Sequence, residues 1–285
     1  MIEGAACAAQ VKAWQGRMEQ ALAERLPATD IEPTRLHAAM RYCVLNGGQR
    51  VRPLLLFGTA RAVGLSETDV EAAACAIELA HAYSSVHDDL PALDDDAVRR
   101  GRPSCHEAYD EGTAVLVGDA LQSLAFQLLA SDAALPAAPL VRLQLIGLLA
   151  EAIGASGLAG GQAIDVAAQG RPLSVPDLDA MYVRRTGALI RASVLMAAAC
   201  APQAAGHLHE ALTAFAAPLG LAFQIQHDLA DAPHGRATYA ATLGPDLSQE
   251  RIRQLQTQAL EALRPLGTAA DPLRALAQWL LLPAD

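Results

Sequence analysis

The 285-residue chain contains 52% hydrophobic residues and has a formal net charge of -10, with a sequence pI near 5.2. This composition supports a large buried core and excludes an intrinsically disordered chain. The excess of acidic residues repels phosphate chains, which argues against nucleic acids and anionic membrane surfaces as partners.

The elements predicted along the chain are nearly all helices, because apolar residues recur at helical spacing and β-branched residues are sparse. No connecting segment is long enough to divide domains, so residues 1–285 are predicted to form one all-α domain, a large helical bundle. Two helix starts look capped: Ser66, followed by Asp69, and Ser248 before a charged turn. The predicted helices cover about 4–26, 33–46, 52–64, 67–92, 104–131, 138–157, 158–168, 176–200, 204–232, 248–263 and 270–282.

The cysteines and the N-terminus bear on the compartment. Five cysteines are scattered without a CxxC pair, which is typical of free thiols in a reducing cytosol. The opening MIEGAACAAQVKAW lacks the features of a signal peptide. Apolar runs such as 211–225, which Pro218 and Gly220 interrupt, fall short of the roughly 18 residues expected of a spanning helix. We therefore expect a soluble, cytoplasmic protein without a membrane span.

The first of two acidic tracts reads HDDLPALDDDAVRRGRP at 87–103. In the helix leading to it, His81, Ser85 and Asp88 share one face because they are four and three residues apart. Asp94 lies about 240° further around a regular helix and would point away from Asp88. Pro91 is expected to bend or end the helix, which would let Asp94 return beside Asp88.

The second tract, QIQHDLAD at 224–231, places Gln224, Asp228 and Asp231 along one helix face. Converging carboxylates without cysteine or paired histidine ligands suit Mg²⁺, which commonly bridges carboxylates to substrate phosphates. Arg99 and Arg100 follow the first tract, and arginine binds phosphate with forked donors. The tracts thus predict a diphosphate site; the alternative is that the first is a solvated loop or caps a helix end.

Five segments of the chain resemble the short-chain trans-prenyl diphosphate synthases, most closely the bacterial farnesyl diphosphate synthases, or geranyltranstransferases. They follow the family's order and are spread along the chain from residue 47 to residue 231. The segments are GGQRVRP at 47–53, ELAHAYSSVHDDLPALDDDAVRRGRPSCH at 78–106, GGQAID at 160–165, RRTGALI at 184–190 and FQIQHDLAD at 223–231. The resemblance implies the all-α isoprenoid synthase fold with a central cavity, usually in a homodimer, with the two acidic tracts facing each other across the cavity mouth.

The resemblance also implies an activity. Such an enzyme condenses isopentenyl diphosphate with dimethylallyl or geranyl diphosphate to give farnesyl diphosphate, through Mg²⁺-assisted ionisation, attack by the isopentenyl double bond and proton loss. The family's pattern assigns a role to each matching residue. In this pattern Mg²⁺ is bound by Asp88 and Asp94, with Asp89 beside them, and by Asp228 and Asp231. The allylic diphosphate is held by Arg99, and the allylic substrate is contacted near the developing cation by Arg185, Thr186 and Gln224. The isopentenyl-binding positions are occupied by Gln49, Arg52, His81 and Arg100.

Product length is expected to depend on the depth of the cavity below the first tract. Tyr83 and Ser84 lie about one helical turn before Asp88. In similar enzymes a bulky aromatic residue at this depth forms the floor of a C15 pocket. Farnesyl diphosphate is therefore the expected product; the alternative is that Tyr83 is an ordinary core or helix-interface residue.

Three departures from the family pattern leave alternatives open. Gln49 replaces a lysine that contacts isopentenyl diphosphate, His227 replaces an aspartate of DDxxD, and the loop after Asp231 is shortened. These changes favour a non-catalytic or regulatory paralogue that binds prenyl diphosphates or partners an active subunit. A class I terpene cyclase is a further alternative. The 4% aromatic content and the absence of an N-D-x-x-S-x-x-x-E arrangement argue against it.

Overall fold

The computed structural model describes residues 4–168, 171–201, 206–230 and 238–282, and these ranges are almost entirely helical. The elements, in chain order, are α1 (Gly4–Arg25), α2 (Thr34–Val44), α3 (Val51–Ala62), α4 (Glu67–Asp88), β1 (Val98–Arg99), β2 (Arg102–Pro103), α5 (Cys105–Ala108), α6 (Glu111–Ser131), α7 (Pro139–Ile153), α8 (Leu158–Ala168), α9 (Val175–Tyr182), a π-helical turn (Val183–Gly187), α10 (Ala188–Ala199), α11 (Gly206–Ala230), α12 (Tyr239–Leu243), α13 (Pro245–Ala262), a 3₁₀ segment (Arg264–Ala270) and α14 (Asp271–Leu280).

Helices α3, α4 and α10 form the centre of the bundle. They pack against one another, α4 also packs along α6, and α10 contacts α7 and α11. Most of their residues are small or aliphatic and buried, as in the stretch Val70–Ala80 of α4, where only Glu71 and Glu78 are charged. Such helices are apolar on all sides because neighbours surround them. The central position of α4 fixes the direction in which its C-terminal carboxylates leave the core.

Helix α4 begins as predicted and ends earlier than predicted. Ser66 and Asp69 form the expected capping box, and the backbone N–H of Ser66 donates to Asp69 Oδ2 at 2.8 Å. The helix ends at Asp88 instead of near residue 92, because Pro91 cannot continue it. Ser248 does not cap a helix: α13 begins at Pro245, and the buried Ser248 hydroxyl donates to the Gly244 carbonyl.

Other predicted helices are divided. Residues 104–131 form α5 and α6, because Asp110 caps α6 by accepting from the Thr113 N–H at 2.6 Å. The stretch 176–200 contains a π-helical turn at Val183–Gly187. Between α4 and α5, Val98 pairs with Pro103 and Arg99 with Arg102 in a short antiparallel hairpin. The hairpin fixes the arginines that follow the first acidic tract.

Two stretches are long and apolar enough to cross a membrane by length and composition, which corrects the expectation that every apolar run falls short. They are Glu111–Ser131 and Pro139–Ala168, and the second contains both α7 and α8. Both stretches pack against the bundle, and 39% and 33% of their most apolar windows are buried. A substantial apolar surface on α6 and α7 is therefore left exposed, including Leu116, Leu140 and Leu143.

Candidate active site

The first acidic tract folds back on itself at the end of α4. The N–H of Asp94 donates to the Asp88 carbonyl at 2.9 Å, and the N–H of Asp96 donates to the Asp89 carbonyl at 3.2 Å. These bonds return the chain after Pro91, so Asp94 lies close to the residue that ends the helix. The tract is therefore a compact turn held by its own backbone.

Burial changes the acidity of this turn. Desolvation raises the pKa of Asp88 to about 6, although Arg185 opposes the shift, and it raises the pKa of Asp89 to about 6 against the opposing charge of Arg99. Asp94 adds to both shifts by repulsion. Because these carboxylates are costly to ionise together, an added cation would stabilise their charged forms.

Four arginines surround His81 beside the tract. Desolvation and then the charges of Arg52, Arg99, Arg100 and Arg50 lower its pKa well below the ordinary value, so the imidazole is neutral. Arg99 donates to Asp89 Oδ1 at 2.8 Å and to the Ser85 hydroxyl at 2.9 Å. All of these groups except Arg52 line a cleft next to the acidic turn. Several arginine side chains close together can bind an anion that has several acceptor oxygens.

Arg52 differs from the other arginines in this cluster. Its Nε is buried without a hydrogen-bond partner, and burial lowers its pKa to about 10 despite the nearby Glu78. An unpaired donor and a desolvated charge are both unfavourable for folding. A phosphate oxygen would satisfy both.

Arg50 has a structural role that the sequence did not reveal. Its guanidinium, 1% exposed, donates to Glu78 at 2.7 Å, to Glu19 at 2.8 Å and to the Val44 carbonyl at 2.6 Å. Gln49, by contrast, is exposed, and its carbonyl accepts from the Gln15 side chain at 3.1 Å. Arg50 therefore anchors the start of α3 at the wall of the cleft.

Gly48 allows Arg100 to reach the start of α3. The Arg100 guanidinium donates to Asn46 Oδ1 at 2.9 Å and to the Gly47 carbonyl. A Cβ on Gly48 would collide with that guanidinium, and its φ of +113° also favours glycine. The glycines of GGQRVRP thus let an arginine from the hairpin close one side of the cleft.

Arg185 joins the first tract to α8 across the mouth of the bundle. Its Nη2 donates to Asp94 Oδ2 at 2.9 Å, and its Nη1 donates to Asp165. Gln162 of α8 also donates to Asp94, at 3.3 Å. A Cβ on Gly161 would collide with the Arg185 backbone, so this glycine permits the close approach. The GGQAID segment thus supplies two contacts, from Gln162 and Asp165, that the sequence analysis did not assign.

The second tract is held by a chain of hydrogen bonds. The Thr186 hydroxyl donates to Gln224 Oε1, the Gln224 amide donates to Asp228 Oδ1 at 2.7 Å, and Tyr182 donates to Asp228 Oδ2. Burial raises the pKa of Asp228, while these two donors oppose the shift. The side chain of His227 is exposed. Asp231 lies outside the described residues, as does the loop that follows it.

The residues predicted to form the cavity floor are buried in α4. Tyr83 is 7% exposed and stacks edge-on against His87, with ring centroids 5.9 Å apart. Burial raises its pKa, although a hydrogen bond with Gln122 of α6 opposes the shift. The Ser84 hydroxyl donates to the His81 carbonyl at 3.0 Å. Tyr83 therefore lies where α4 meets α6, one turn below the acidic tract.

The carboxylates fit a divalent cation by their chemistry. Within the described residues, no three acidic, histidine or cysteine side chains are already grouped to hold a metal; Asp89 and Asp94 instead contact Arg99 and Arg185. The potential donors are all oxygens, which hard cations prefer. An added cation would compete with Arg99 and Arg185 for these carboxylates.

One protein family matches the chain over most of its length. The polyprenyl synthetase model matches residues 33–270. The chain belongs to the polyprenyl synthetase family. This match includes the first acidic tract, the arginine cluster, GGQAID and the π-helical turn.

Curated members of the polyprenyl synthetase family are similar over nearly their full length. The farnesyl diphosphate synthase of Escherichia coli K12 is 37% identical over 291 residues, covering 95% of this chain and 97% of that protein. The farnesyl diphosphate synthase of Haemophilus influenzae is 35% identical, covering 94% and 95%.

Solved structures in the polyprenyl synthetase family share the fold. An FPP/GFPP synthase of Zymomonas mobilis in its apo form superposes with a TM-score of 0.91 at 37% identity, covering 98% of this chain and 100% of that one. A geranyltransferase of Legionella pneumophila gives a TM-score of 0.91 at 30% identity, covering 98% and 97%. The predicted family and the all-α isoprenoid synthase fold are therefore confirmed.

Proposed function

We propose that this chain is a farnesyl diphosphate synthase, a trans-prenyltransferase that joins isopentenyl diphosphate to dimethylallyl or geranyl diphosphate. The observation that carries the proposal is the arginine cleft beside the acidic turn. Arg50, Arg99 and Arg100 line this cleft. Burial and the nearby charges of Arg100 and Arg99 lower the pKa of Arg52, whose buried Nε is unpaired. A cationic cleft adjoining a carboxylate turn suits two diphosphates, one bound by arginines and one bound through cations.

The chain's residues divide the work between the two substrates. Arg52, Arg100 and His81 hold isopentenyl diphosphate, and Gln49 at the start of α3 borders the same substrate. Arg99 binds the allylic diphosphate. The neutral imidazole of His81 suits this role, because it can donate one hydrogen bond without adding another cation to the arginines.

The proposed metal is Mg²⁺, held by Asp88, Asp89 and Asp94 and, from the second tract, by Asp228 and Asp231. Bound Mg²⁺ would supply positive charge that stabilises the departing diphosphate. Release of Arg185 from Asp94 would leave its guanidinium paired with Asp165 and directed at the same leaving group. These groups favour ionisation by stabilising charge that develops at the leaving oxygen.

The residues around the π-helical turn act on the carbon skeleton. Thr186 and Gln224 place hydroxyl and amide oxygens near the position of the allylic cation, and their mutual hydrogen bond fixes the orientation. The isopentenyl double bond attacks this cation, and the departing diphosphate takes the proton that is lost. Exclusion of water protects the cation, so the buried surroundings of Thr186 serve the reaction.

A product assay tests the proposed function. Purified protein is incubated with Mg²⁺, geranyl diphosphate and labelled isopentenyl diphosphate, and the products are dephosphorylated and separated by chromatography. A labelled C15 alcohol is the expected result. Unlabelled hydrocarbon formed from the allylic substrate alone would replace the proposal with a terpene cyclase. Binding without turnover would replace it with a non-catalytic or regulatory paralogue.

The aromatic ring of Tyr83 is proposed to limit product length. Because Tyr83 is buried one turn below Asp88, Tyr83→Ala would extend the cavity along α4. We expect products of C20 or longer from the alanine variant. Tyr83→Phe is the matched control, since it keeps the ring, and it should still give C15. An unchanged C15 product from Tyr83→Ala would refute this role.

We also propose that α6 and α7 form a homodimer interface with a second copy of the chain. Leu116 on α6 and Leu140 and Leu143 on α7 are 58%, 77% and 65% exposed. Exposed leucines on two adjacent helices are typical of a surface covered in an assembly.

Leu140→Glu combined with Leu143→Glu should convert the protein from dimer to monomer, as measured by sedimentation velocity. Leu247→Glu is the matched control, because Leu247 is 58% exposed on α13, and it should leave the dimer intact. A wild-type monomer, or a dimer that survives the double substitution, would contradict the proposed interface.

A cytoplasmic location is proposed for the enzyme. All five cysteines are free, as expected of a protein in a reducing compartment. Localisation of a tagged chain by cell fractionation is the direct test.

A further inference from the structure

Two cysteines lie together on the wall of the arginine cleft. Cys43 is near the C-terminal end of α2, and Cys105 is the first residue of α5. Their side chains are hydrogen-bonded to each other, and both line the cleft formed with Arg99 and Arg100. The two thiols are thus neighbours at the same cleft.

The backbones that carry these thiols are fixed relative to each other. The hydroxyl of Tyr42 donates to the Pro103 carbonyl at 2.7 Å. The Tyr42 ring also packs edge-on against Tyr109, with centroids 5.7 Å apart. Each contact joins a neighbour of Cys43 to the segment around Cys105, so the pair does not depend on one mobile side chain.

The two thiols differ in exposure and in acidity. Cys105 is 3% exposed, whereas Cys43 is partly exposed at the cleft. The hydrogen bond from Cys43 lowers the pKa of Cys105, while the pKa of Cys43 is raised. All five cysteines lie in the described ranges, and burial instead raises the pKa of Cys7, Cys75 and Cys200. Because the thiolate is the reactive form, Cys105 is favoured as the attacking group.

We propose that Cys43 and Cys105 form a reversible disulfide that regulates binding of isopentenyl diphosphate in the adjoining cleft. The oxidant is a peroxide. The Cys105 thiolate attacks one peroxide oxygen, which gives a sulfenic acid and releases hydroxide that is then protonated. The Cys43 sulfur attacks the sulfenic sulfur, the S–S bond forms, and water leaves. Two thiols and one hydrogen peroxide thus yield one disulfide and two waters.

The disulfide would act on the cleft through its walls. Arg100 donates to Asn46 at 2.9 Å, and Asn46 follows Cys43 just beyond the end of α2. Bringing the sulfurs to bonding distance, about 2.05 Å, draws α2 and α5 together. The cleft between Asn46 and Arg99 narrows, so the isopentenyl substrate binds more weakly. This regulatory effect rests on the proposed function; formation of the bond does not.

The test combines peptide mapping with kinetics. Wild-type protein, Cys43→Ser and Cys200→Ser are treated with hydrogen peroxide, and remaining thiols are blocked with N-ethylmaleimide. Unreduced digests are then analysed by mass spectrometry, and the KM for isopentenyl diphosphate is measured before and after dithiothreitol. Cys200 is a matched control because it is also partly exposed but lies at the end of α10. Each variant is compared with its own reduced form.

We expect a Cys43–Cys105 peptide in wild type and in Cys200→Ser, with a KM raised roughly tenfold or more and restored by dithiothreitol. Cys43→Ser should give neither effect. Oxidation of the thiols without the linked peptide would overturn the proposed disulfide. A linked peptide with an unchanged KM would overturn the regulation. Mapping needs no turnover, so an inactive protein that forms the disulfide would contradict the proposed function alone.

Discussion

Asp94→Ala is expected to lower kcat for condensation by about 100-fold to 1,000-fold, because it removes a carboxylate proposed to hold the leaving-group cation. The fold should survive the change. Arg185 keeps its second carboxylate partner, Asp165, so the substitution leaves no isolated buried cation. The measurement is single-turnover formation of labelled C15 product at saturating substrates.

Asp95→Asn is the matched control for this variant. Asp95 is the next acidic residue, is exposed and has a φ of +53°, a conformation that asparagine tolerates. It should retain kcat near the wild-type value. Equal losses of kcat in Asp94→Ala and Asp95→Asn would indicate that the reaction depends on the total negative charge of the turn. The specific role of Asp94 would then be rejected.

Arg52→Met is expected to raise the KM for isopentenyl diphosphate about tenfold to 100-fold, the effect of losing a charge-assisted contact of roughly 1.5 to 3 kcal/mol. Its thermal stability should equal or exceed that of wild type. Arg52 is a desolvated cation with an unpaired buried Nε, and an apolar side chain of similar length removes both costs. An unchanged or higher Tm together with a higher KM would indicate that Arg52 binds the substrate.

Arg50→Met provides the opposite case two residues away. Loss of the Arg50 guanidinium leaves Glu78, which is 1% exposed, as a buried carboxylate without its ion-pair partner. Breaking such a pair costs about 3 to 5 kcal/mol, so we expect a clear fall in the free energy of unfolding. Denaturant unfolding and substrate kinetics on both variants separate the roles. If Arg52→Met were the destabilised variant with an unchanged KM, Arg52 would be a structural residue.

Sequence reasoning predicted the elements whose signals are local. The capping box at Ser66 follows from residues three apart, and Pro91 correctly indicated a disturbance after Asp88. Sequence reasoning did not predict the residue at which α4 ends, because a proline can either kink a helix or stop it. Ser248 carried the signal of a cap, yet Pro245 and Gly244 begin the helix earlier.

The contacts that sequence reasoning missed are long-range. Gln162 contacts Asp94 and Asp165 contacts Arg185, both from α8, and nothing in their sequence spacing predicts these contacts. The π-helical turn at Val183–Gly187 was also missed, since a single extra residue in a helix leaves the apolar pattern almost unchanged. The GGQAID segment did contain a usable signal, because paired glycines beside polar residues often mark a close backbone approach.

The departures at Gln49 and His227 have different structural settings. Gln49 lies at the exposed start of α3, beside the buried Arg50, which lines the cleft. His227 is exposed on α11, whereas Asp228 beside it is buried and hydrogen-bonded to Tyr182 and Gln224. Only the first departure therefore removes a charge directly beside the arginine cluster.

The most direct measurement is calorimetric titration of geranyl diphosphate into the protein without isopentenyl diphosphate, at a fixed pH, with Mg²⁺ or with a chelator. We expect micromolar binding that depends on Mg²⁺ and is lost when Asp88 and Asp94 are both alanine, while Asp95→Asn binds normally. Equal affinity with and without Mg²⁺, or undiminished binding by the double variant, would contradict the claim that acidic residues hold the allylic diphosphate through metal ions.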